Sequence, residues 1–126
     1  MQLDVLPGAY AIWHLRPGSD WRAPTTRVGE IAAVAVTDDE ISILGPERAA
    51  PDNDVEVGFR VLRVHGSLDF GLVGVIADIT GVLAAARVSV FVLSTYNTDY
   101  LAIRDRDLAS ATTALVAGGF EVESGR

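Results

Sequence analysis

Between Val57 and Val122 the sequence alternates between strand and helix patterns, and this alternation leaves few possible topologies. Val57–Val64 is predicted as a strand. Phe70–Ala86 is predicted as a helix with Asp69 as its N-cap, because its apolar residues recur at gaps of three and four. Val88–Thr95 is almost continuously apolar and β-branched, which is typical of a strand that is buried on both sides or lies near the centre of a sheet.

The remaining segments complete the same pattern. Tyr96–Thr98 is predicted as a turn, and Asp99–Arg104 as the strand that pairs back as its hairpin partner. A second helix follows and ends at Gly118-Gly119, after which Phe120–Glu123 alternates as a last strand. The order is β-α-β-β-α-β. Four strands with two helices on one face form an α+β, ferredoxin-like sandwich.

The first half of the chain is rich in strand patterns and has no convincing helix. Tyr10–Leu15 reads as a strand, and Ile31–Val36 and Glu40–Leu44 flank a polar turn as a hairpin. The polar segment Pro46–Asp54 reads as a connector. We therefore predict two units: a smaller, strand-rich N-terminal unit over residues 1–55, and the βαββαβ domain over residues 56–126.

Charge and residue usage exclude several function classes. The net charge is -7 and no basic run occurs, so binding to nucleic acid or to a membrane surface is not expected. Cysteine is absent and the two histidines, His14 and His65, are far apart, so no metal site or other cofactor is expected. Met1–Asp4 lacks the features of a signal peptide, and the protein is expected to be cytoplasmic.

No catalytic centre can be assembled from the sequence. His65, Ser67 and Asp69 invite comparison with a catalytic triad, but a spacing of two along one strand and turn sets no triad geometry. The acidic run Asp38–Glu40 is more typical of a solvated hairpin turn than of a metal site. We therefore do not expect an enzyme.

Two segments carry a family resemblance. Gly66–Gly74 follows the pattern Gly-x-Leu-Asp-Phe-x-Leu-x-Gly, and Ser94–Tyr100 reads Ser-Thr-Tyr-Asn-Thr-Asp-Tyr. Together they resemble ACT domains of the CASTOR type, which are relatives of the regulatory domains of aspartate kinase and of a cytosolic arginine sensor. The resemblance covers about residues 57–122. It also implies that the first half is a degenerate ACT-like unit.

The resemblance implies a regulatory domain that binds an amino acid or another small effector, usually where two ACT units meet. Asp99 matches a ligand-contacting aspartate, and its neighbours in the turn match further contact positions. The loop before the first helix matches the ligand-facing loop. The residues expected to bind ligand are Leu68, Asp69, Phe70, Gly71, Leu72, Gly74, Thr95, Tyr96, Asn97 and Asp99.

Physical chemistry allows both a functional and a structural interpretation of these positions. The N-terminus of a helix suits a ligand carboxylate, and Gly71 and Gly74 permit close approach of a ligand. The same glycines could instead let the helix pack tightly on the sheet. Asp99 could pair with an ammonium group, but Asn97–Asp99 is also good turn chemistry.

Two hypotheses follow. The first is a stand-alone regulatory protein that binds an amino acid and acts as a homo-oligomer, a dimer. The resemblance implies that a second unit, either within the chain or from a second copy, completes the site. The second is an interaction and oligomerisation module that binds no metabolite and pairs through open sheet edges.

Overall fold

A computed structural model of the chain describes residues 1–65 and 74–124. The chain divides into two compact units. The α/β unit comprises Met1–Pro7 and Arg60–Arg126, and the strand unit comprises Gly8–Phe59. The strands are β1 (Gln2–Val5), β2 (Tyr10–Leu15), β3 (Ala33–Val36), β4 (Ile41–Pro46), β5 (Val55–Val64), β6 (Val90–Ser94), β7 (Asp99–Arg104) and β8 (Glu121–Ser124). The α-helices are α1 (Val75–Ala85) and α2 (Leu108–Ala117), and short 3-10 turns lie at Glu47–Ala49 and Asp105–Asp107.

The sheet of the α/β unit has the strand order β8-β1-β5-β7-β6. β1 pairs antiparallel with β5, placing Leu3 opposite Val64, and parallel with β8, placing Leu3 opposite Val122. β6 and β7 form an antiparallel hairpin. The α+β, ferredoxin-like fold that the sequence predicts is therefore confirmed, with one additional strand in its sheet.

The core of the α/β unit draws on both helices and on strands β1, β5 and β7. In β1 the side chains alternate, so that Leu3 and Val5 are buried while Gln2 and Asp4 lie on the other face. The buried cluster consists of Leu3, Val5, Leu62, Val64, Ile79, Leu83, Val88, Leu101, Ile103, Ala111 and Leu115. The N-terminal strand is thus an integral part of this core.

β1 was not predicted from the sequence. The predicted first unit covers residues 1–55, whereas Met1–Pro7 groups with Arg60–Arg126 in the described structure. A four-residue strand gives little periodicity, and its pairing partners lie far away along the chain.

The described helix begins later than we expected. We expected it to begin at Phe70 with Asp69 as N-cap. Both residues lie outside the described part of the chain, and α1 begins at Val75 with Gly74 as N-cap. Gly74 has a φ of 88°, which lies in the left-handed region. A right-handed helix cannot continue backwards through that conformation.

The predicted burial of the apolar run after α1 is wrong. β6 covers Val90–Ser94 and, among the described strands, pairs only with β7. Phe91 and Val92 are 39% and 40% exposed. The run is therefore an exposed sheet edge rather than a central strand, because an apolar composition alone does not report how many strands lie beside it.

The strand unit has the order β3-β4-β2 followed by the first half of β5. Tyr10–Leu15 is a strand, and β3 and β4 form the antiparallel hairpin that was predicted. The buried cluster of the strand unit consists of Ala11, Trp13, Ile41 and Ile43. Pro24 belongs to the irregular segment between β2 and β3 and packs closely on Gly45. A Cβ added at Gly45 would lie 2.8 Å from the Pro24 ring.

An ion pair fastens the irregular segment of the strand unit. Both guanidinium NH groups of Arg48 donate to the Glu30 carboxylate, at 2.6 and 2.7 Å, and Arg48 also donates to the carbonyl of Thr25. The Arg27 backbone N–H donates to Glu30 at 2.6 Å. The hydrogen bonds from Arg48 and then from the Arg27 backbone lower the pKa of Glu30 from its ordinary 4.5 to about 2.

Leu3→Ala is expected to destabilise the protein by about 2–5 kcal/mol, because it removes a fully buried side chain from the core of the α/β unit. The measurement is the free energy of unfolding by chemical denaturation. Val28→Ala removes apolar atoms from a fully exposed side chain and is expected to change that value by less than about 0.5 kcal/mol. Equal effects of the two substitutions would contradict the placement of β1 in a core.

Acid stability is expected to depend on Glu30. A depressed folded-state pKa contributes stability above the ordinary pKa of 4.5, and that contribution is lost as the pH falls towards about 2. The stability of the unchanged protein should fall between pH 4.5 and 2, and the stability of Glu30→Gln should fall less over the same range. Thermal unfolding across this range measures it, with Glu40→Gln in the exposed hairpin turn as the control that keeps the decline.

Candidate ligand-binding site

The described structure covers half of the predicted ligand-binding residues. Leu68, Asp69, Phe70, Gly71 and Leu72 lie outside the described residues. Gly74 is the N-cap of α1. Thr95, Tyr96 and Asn97 lie in the turn between β6 and β7, and Asp99 is the first residue of β7. Among the described residues, no hydrogen bond joins Gly74 to that turn, so the structure brings together four of the predicted residues.

The segment Ser94–Asp99, here called the hairpin tip, closes on itself through short-range hydrogen bonds. The Thr95 backbone N–H donates to the Thr98 carbonyl at 2.8 Å, and the Thr95 hydroxyl donates to the same oxygen at 3.1 Å. Ser94 and Asp99 are register partners at the end of the ladder. Turn chemistry in the sequence therefore does shape this segment, as the structural interpretation of Asn97–Asp99 supposed.

The carboxylate of Asp99 is oriented by a hydroxyl group. Ser94 Oγ donates to Asp99 Oδ1 at 2.5 Å, and among the described residues no ion pair engages this carboxylate. Tyr96 is 81% exposed at the tip, and Thr95 and Asn97 are exposed beside it. The tip thus presents a fixed negative charge together with exposed polar and aromatic groups.

The sequence analysis gave Thr98, which stands inside the quoted motif, no role beyond its place in the predicted turn. Its side chain is buried, 6% exposed, and its Oγ1 donates to the carbonyl of Val64 at 2.8 Å. Val64 is the last residue of β5. This bond connects the hairpin tip to the end of the neighbouring strand, and a threonine inside a turn motif gives no signal of so distant a partner.

Gly74 needs its glycine for backbone conformation rather than for close packing. Its carbonyl accepts the first hydrogen bond of α1, from the Asp78 N–H at 2.9 Å. Among the described atoms, a Cβ at Gly74 would meet nothing within 4 Å. The N–H groups of the first turn that follow Gly74 have no acceptor within the helix, which is the usual source of affinity for an anion.

A second polar cluster lies on β1 and at the end of β5. Asp4 Oδ2 accepts from Arg63 at 3.1 Å and bonds His65 Nδ1 at 2.8 Å, while Gln2 donates to Asp4 Oδ1 at 2.8 Å. Burial raises the pKa of Asp4, but the hydrogen bonds from His65, Gln2 and Arg63 outweigh it and hold that pKa below its ordinary value. His65 is therefore a strand-end residue that pairs with β1.

Comparison with known proteins identifies the family. A family profile described as the ACT domain matches residues 54–117, and the chain belongs to the ACT domain family. ACT domains are regulatory rather than catalytic units, and membership indicates small-molecule regulatory binding. The CASTOR subtype is not distinguished by this match. No curated protein matches the sequence.

Solved structures show the same fold. Protein Atu0741 from Agobacterium tumefaciens is 26% identical, with a TM-score of 0.87 over 99% of this chain and 93% of that one. VC0802 from Vibrio cholerae, described as a possible transport protein, is 16% identical, with a TM-score of 0.67 over 93% of this chain and 88% of that one. The aspartate kinase of Clostridium acetobutylicum is 7% identical, with a TM-score of 0.63, and 89% of this chain matches 33% of that enzyme. The last two likenesses concern the fold alone.

Among the described residues, no helix is long and apolar enough to cross a membrane.

Two glycines of the same helix should respond to alanine with opposite signs. Gly74→Ala forces a side chain into a left-handed conformation and should destabilise the protein by about 1–2 kcal/mol. Gly81→Ala lies in the interior of α1, where a Cβ meets nothing within 4 Å, and should stabilise it by up to about 1 kcal/mol. Urea denaturation of both variants provides the comparison, and a stabilising Gly74→Ala would contradict the described start of α1.

Proposed function

We propose that this protein is a regulatory ACT-type protein that binds an amino acid. The observation that carries the proposal is the hairpin tip, where Ser94 holds the Asp99 carboxylate among exposed polar groups. Ser94 occupies Oδ1, and among the described residues Oδ2 of Asp99 makes no hydrogen bond. A fixed carboxylate of this kind suits an α-ammonium group, since hydrogen bonds between charged groups are stronger than neutral ones.

The other end of an amino acid would meet the start of α1. The first-turn backbone N–H groups after Gly74, which have no acceptor within the helix, and the positive end of the helix dipole favour a carboxylate. In this proposal the segment from Leu68 to Leu72 lines the ligand together with Gly74, as the family resemblance implies. The ligand is thereby recognised through both of its charged ends.

The proposal extends to assembly and location. β6 is an apolar edge strand on which Phe91 and Val92 are partly exposed. A partly exposed apolar edge favours pairing with a second chain, so we propose a homodimer formed through β6. The protein is proposed to act in the cytoplasm, with neither nucleic acid nor membrane as a partner.

The same edge strand favours the alternative function, an oligomerisation module that responds to no metabolite. The two proposals differ in their dependence on Asp99. Only an effector-binding protein requires a carboxylate at the hairpin tip, because pairing through β6 makes no use of it.

Asp99→Asn is expected to weaken the binding of an amino acid at least about tenfold, because it removes the charge that faces the ammonium group. Titration calorimetry of the unchanged protein against each of the twenty amino acids identifies the ligand, and the same titration with the variant measures the loss. Asp38→Asn, in the exposed turn between β3 and β4, is the matched control and should bind normally.

Sedimentation velocity with and without the amino acid separates the two functions. A dimer that forms through β6, while no amino acid gives a heat of binding, would favour the oligomerisation module. Full binding by Asp99→Asn would contradict the proposed role of the carboxylate.

A further inference from the structure

The polar side chain of Thr98 is buried, with 6% of its surface exposed. A buried hydroxyl is costly unless it is hydrogen-bonded, and Thr98 Oγ1 meets this requirement by donating to the Val64 carbonyl at 2.8 Å. Val64 is itself fully buried. Removal of the hydroxyl would break this bond between Thr98 and the end of β5.

The backbone of Thr98 closes the turn that its side chain anchors. The Thr98 carbonyl accepts from the backbone N–H and from the hydroxyl of Thr95, and the Thr98 N–H donates to Thr95 Oγ1 at 3.4 Å. Asp99 is the next residue along the chain. A shift of Thr98 would therefore move both the turn and the carboxylate that follows it.

We propose that Thr98 is a positioning residue of the ligand site. Its hydroxyl fixes the hairpin tip against the end of β5 and so sets where the Asp99 carboxylate stands. The inference rests on the proposed function as far as the ligand is concerned, but the anchoring of the tip can be measured without any ligand.

A general structural role makes a different prediction from a positioning role. If the bond to Val64 only adds stability, its loss should increase the hydrogen-exchange rates of all protected amides in the α/β unit by a similar factor. If the bond positions the tip, its loss should act on the tip first, because proteins open locally where few contacts hold a segment. Binding of an amino acid should then weaken even where the fold is intact.

The experiment compares three variants by amide hydrogen exchange in the absence of ligand. Thr98→Val keeps the shape of the side chain and removes the hydroxyl, whereas Thr98→Ser keeps the hydroxyl. Thr113→Val is the matched control, because the Thr113 hydroxyl donates to Ala109 within the exposed face of α2. The reporter is the Thr95 amide, which is bonded to the Thr98 carbonyl.

Exchange of the Thr95 amide should accelerate about tenfold or more in Thr98→Val, as expected for the loss of a buried hydrogen bond. It should stay within about twofold of the unchanged protein in Thr98→Ser and in Thr113→Val. Unchanged Thr95 exchange in Thr98→Val would overturn the proposal. So would an equal acceleration of Thr95 and of the amides of the β6–β7 ladder.

Calorimetry with the amino acid found for the unchanged protein gives the second readout. Thr98→Val should bind at least about tenfold more weakly and Thr98→Ser should bind normally. Equal affinity of Thr98→Val and the unchanged protein would overturn the positioning role and leave the proposed function standing. If no amino acid binds the unchanged protein, the proposed function fails, and the exchange experiment still decides whether Thr98 anchors the tip.

Discussion

The α/β unit depends on the pairing of β1 with strands on both of its sides. β1 contributes two buried side chains, Leu3 and Val5, and it lies between β5 and β8 in the sheet. Without it, β8 would lose its paired neighbour and the core would lose the side chains packed between β5 and β8. Because apolar burial supplies most of the favourable free energy of folding, the four residues of β1 contribute more to the stability of the unit than their number indicates.

The hairpin tip combines two kinds of restraint. Hydrogen bonds between close neighbours shape the turn, and one hydrogen bond to a distant strand places it. The carboxylate of Asp99 is held by a neutral hydroxyl, and among the described contacts no cation neutralises it. Its charge therefore stays available to a ligand, whereas a carboxylate committed to an arginine, as Glu30 is, has already satisfied that charge within the protein.

Local patterns predicted the parts of the fold that depend on neighbouring residues. The β3–β4 hairpin, the strand Tyr10–Leu15 and the βαββαβ order all follow from periodicity and turn residues. Such patterns do not predict the pairing of strands that lie far apart in the sequence, and for this reason β1 was not predicted. The same limit applies to β6, because an apolar run has the same composition at a sheet edge as at its centre.

The candidate site divides in the same way. The residue types of the hairpin tip by themselves indicate a turn, and the ligand-contacting role of Asp99 is what the family resemblance implies. The structure places Thr95, Tyr96 and Asn97 in that turn and Asp99 at the start of β7. The bond from Thr98 to Val64 joins residues 34 positions apart, and neither residue type predicts it. The start of α1 at Val75 was not predicted, because periodicity locates a helix better than it locates its ends.

The arrangement of β1 also bears on how the chain folds. β1 pairs with Leu62–Val64 of β5 and with Glu121–Ser124 of β8, so the whole strand unit and most of the α/β unit must be synthesised before the sheet can close. Contacts between residues so far apart slow the search for the native topology, because their loop-closure entropy is paid before the contacts form. The strand unit, Gly8–Phe59, lies entirely within the stretch of chain that separates β1 from its partner residues in β5.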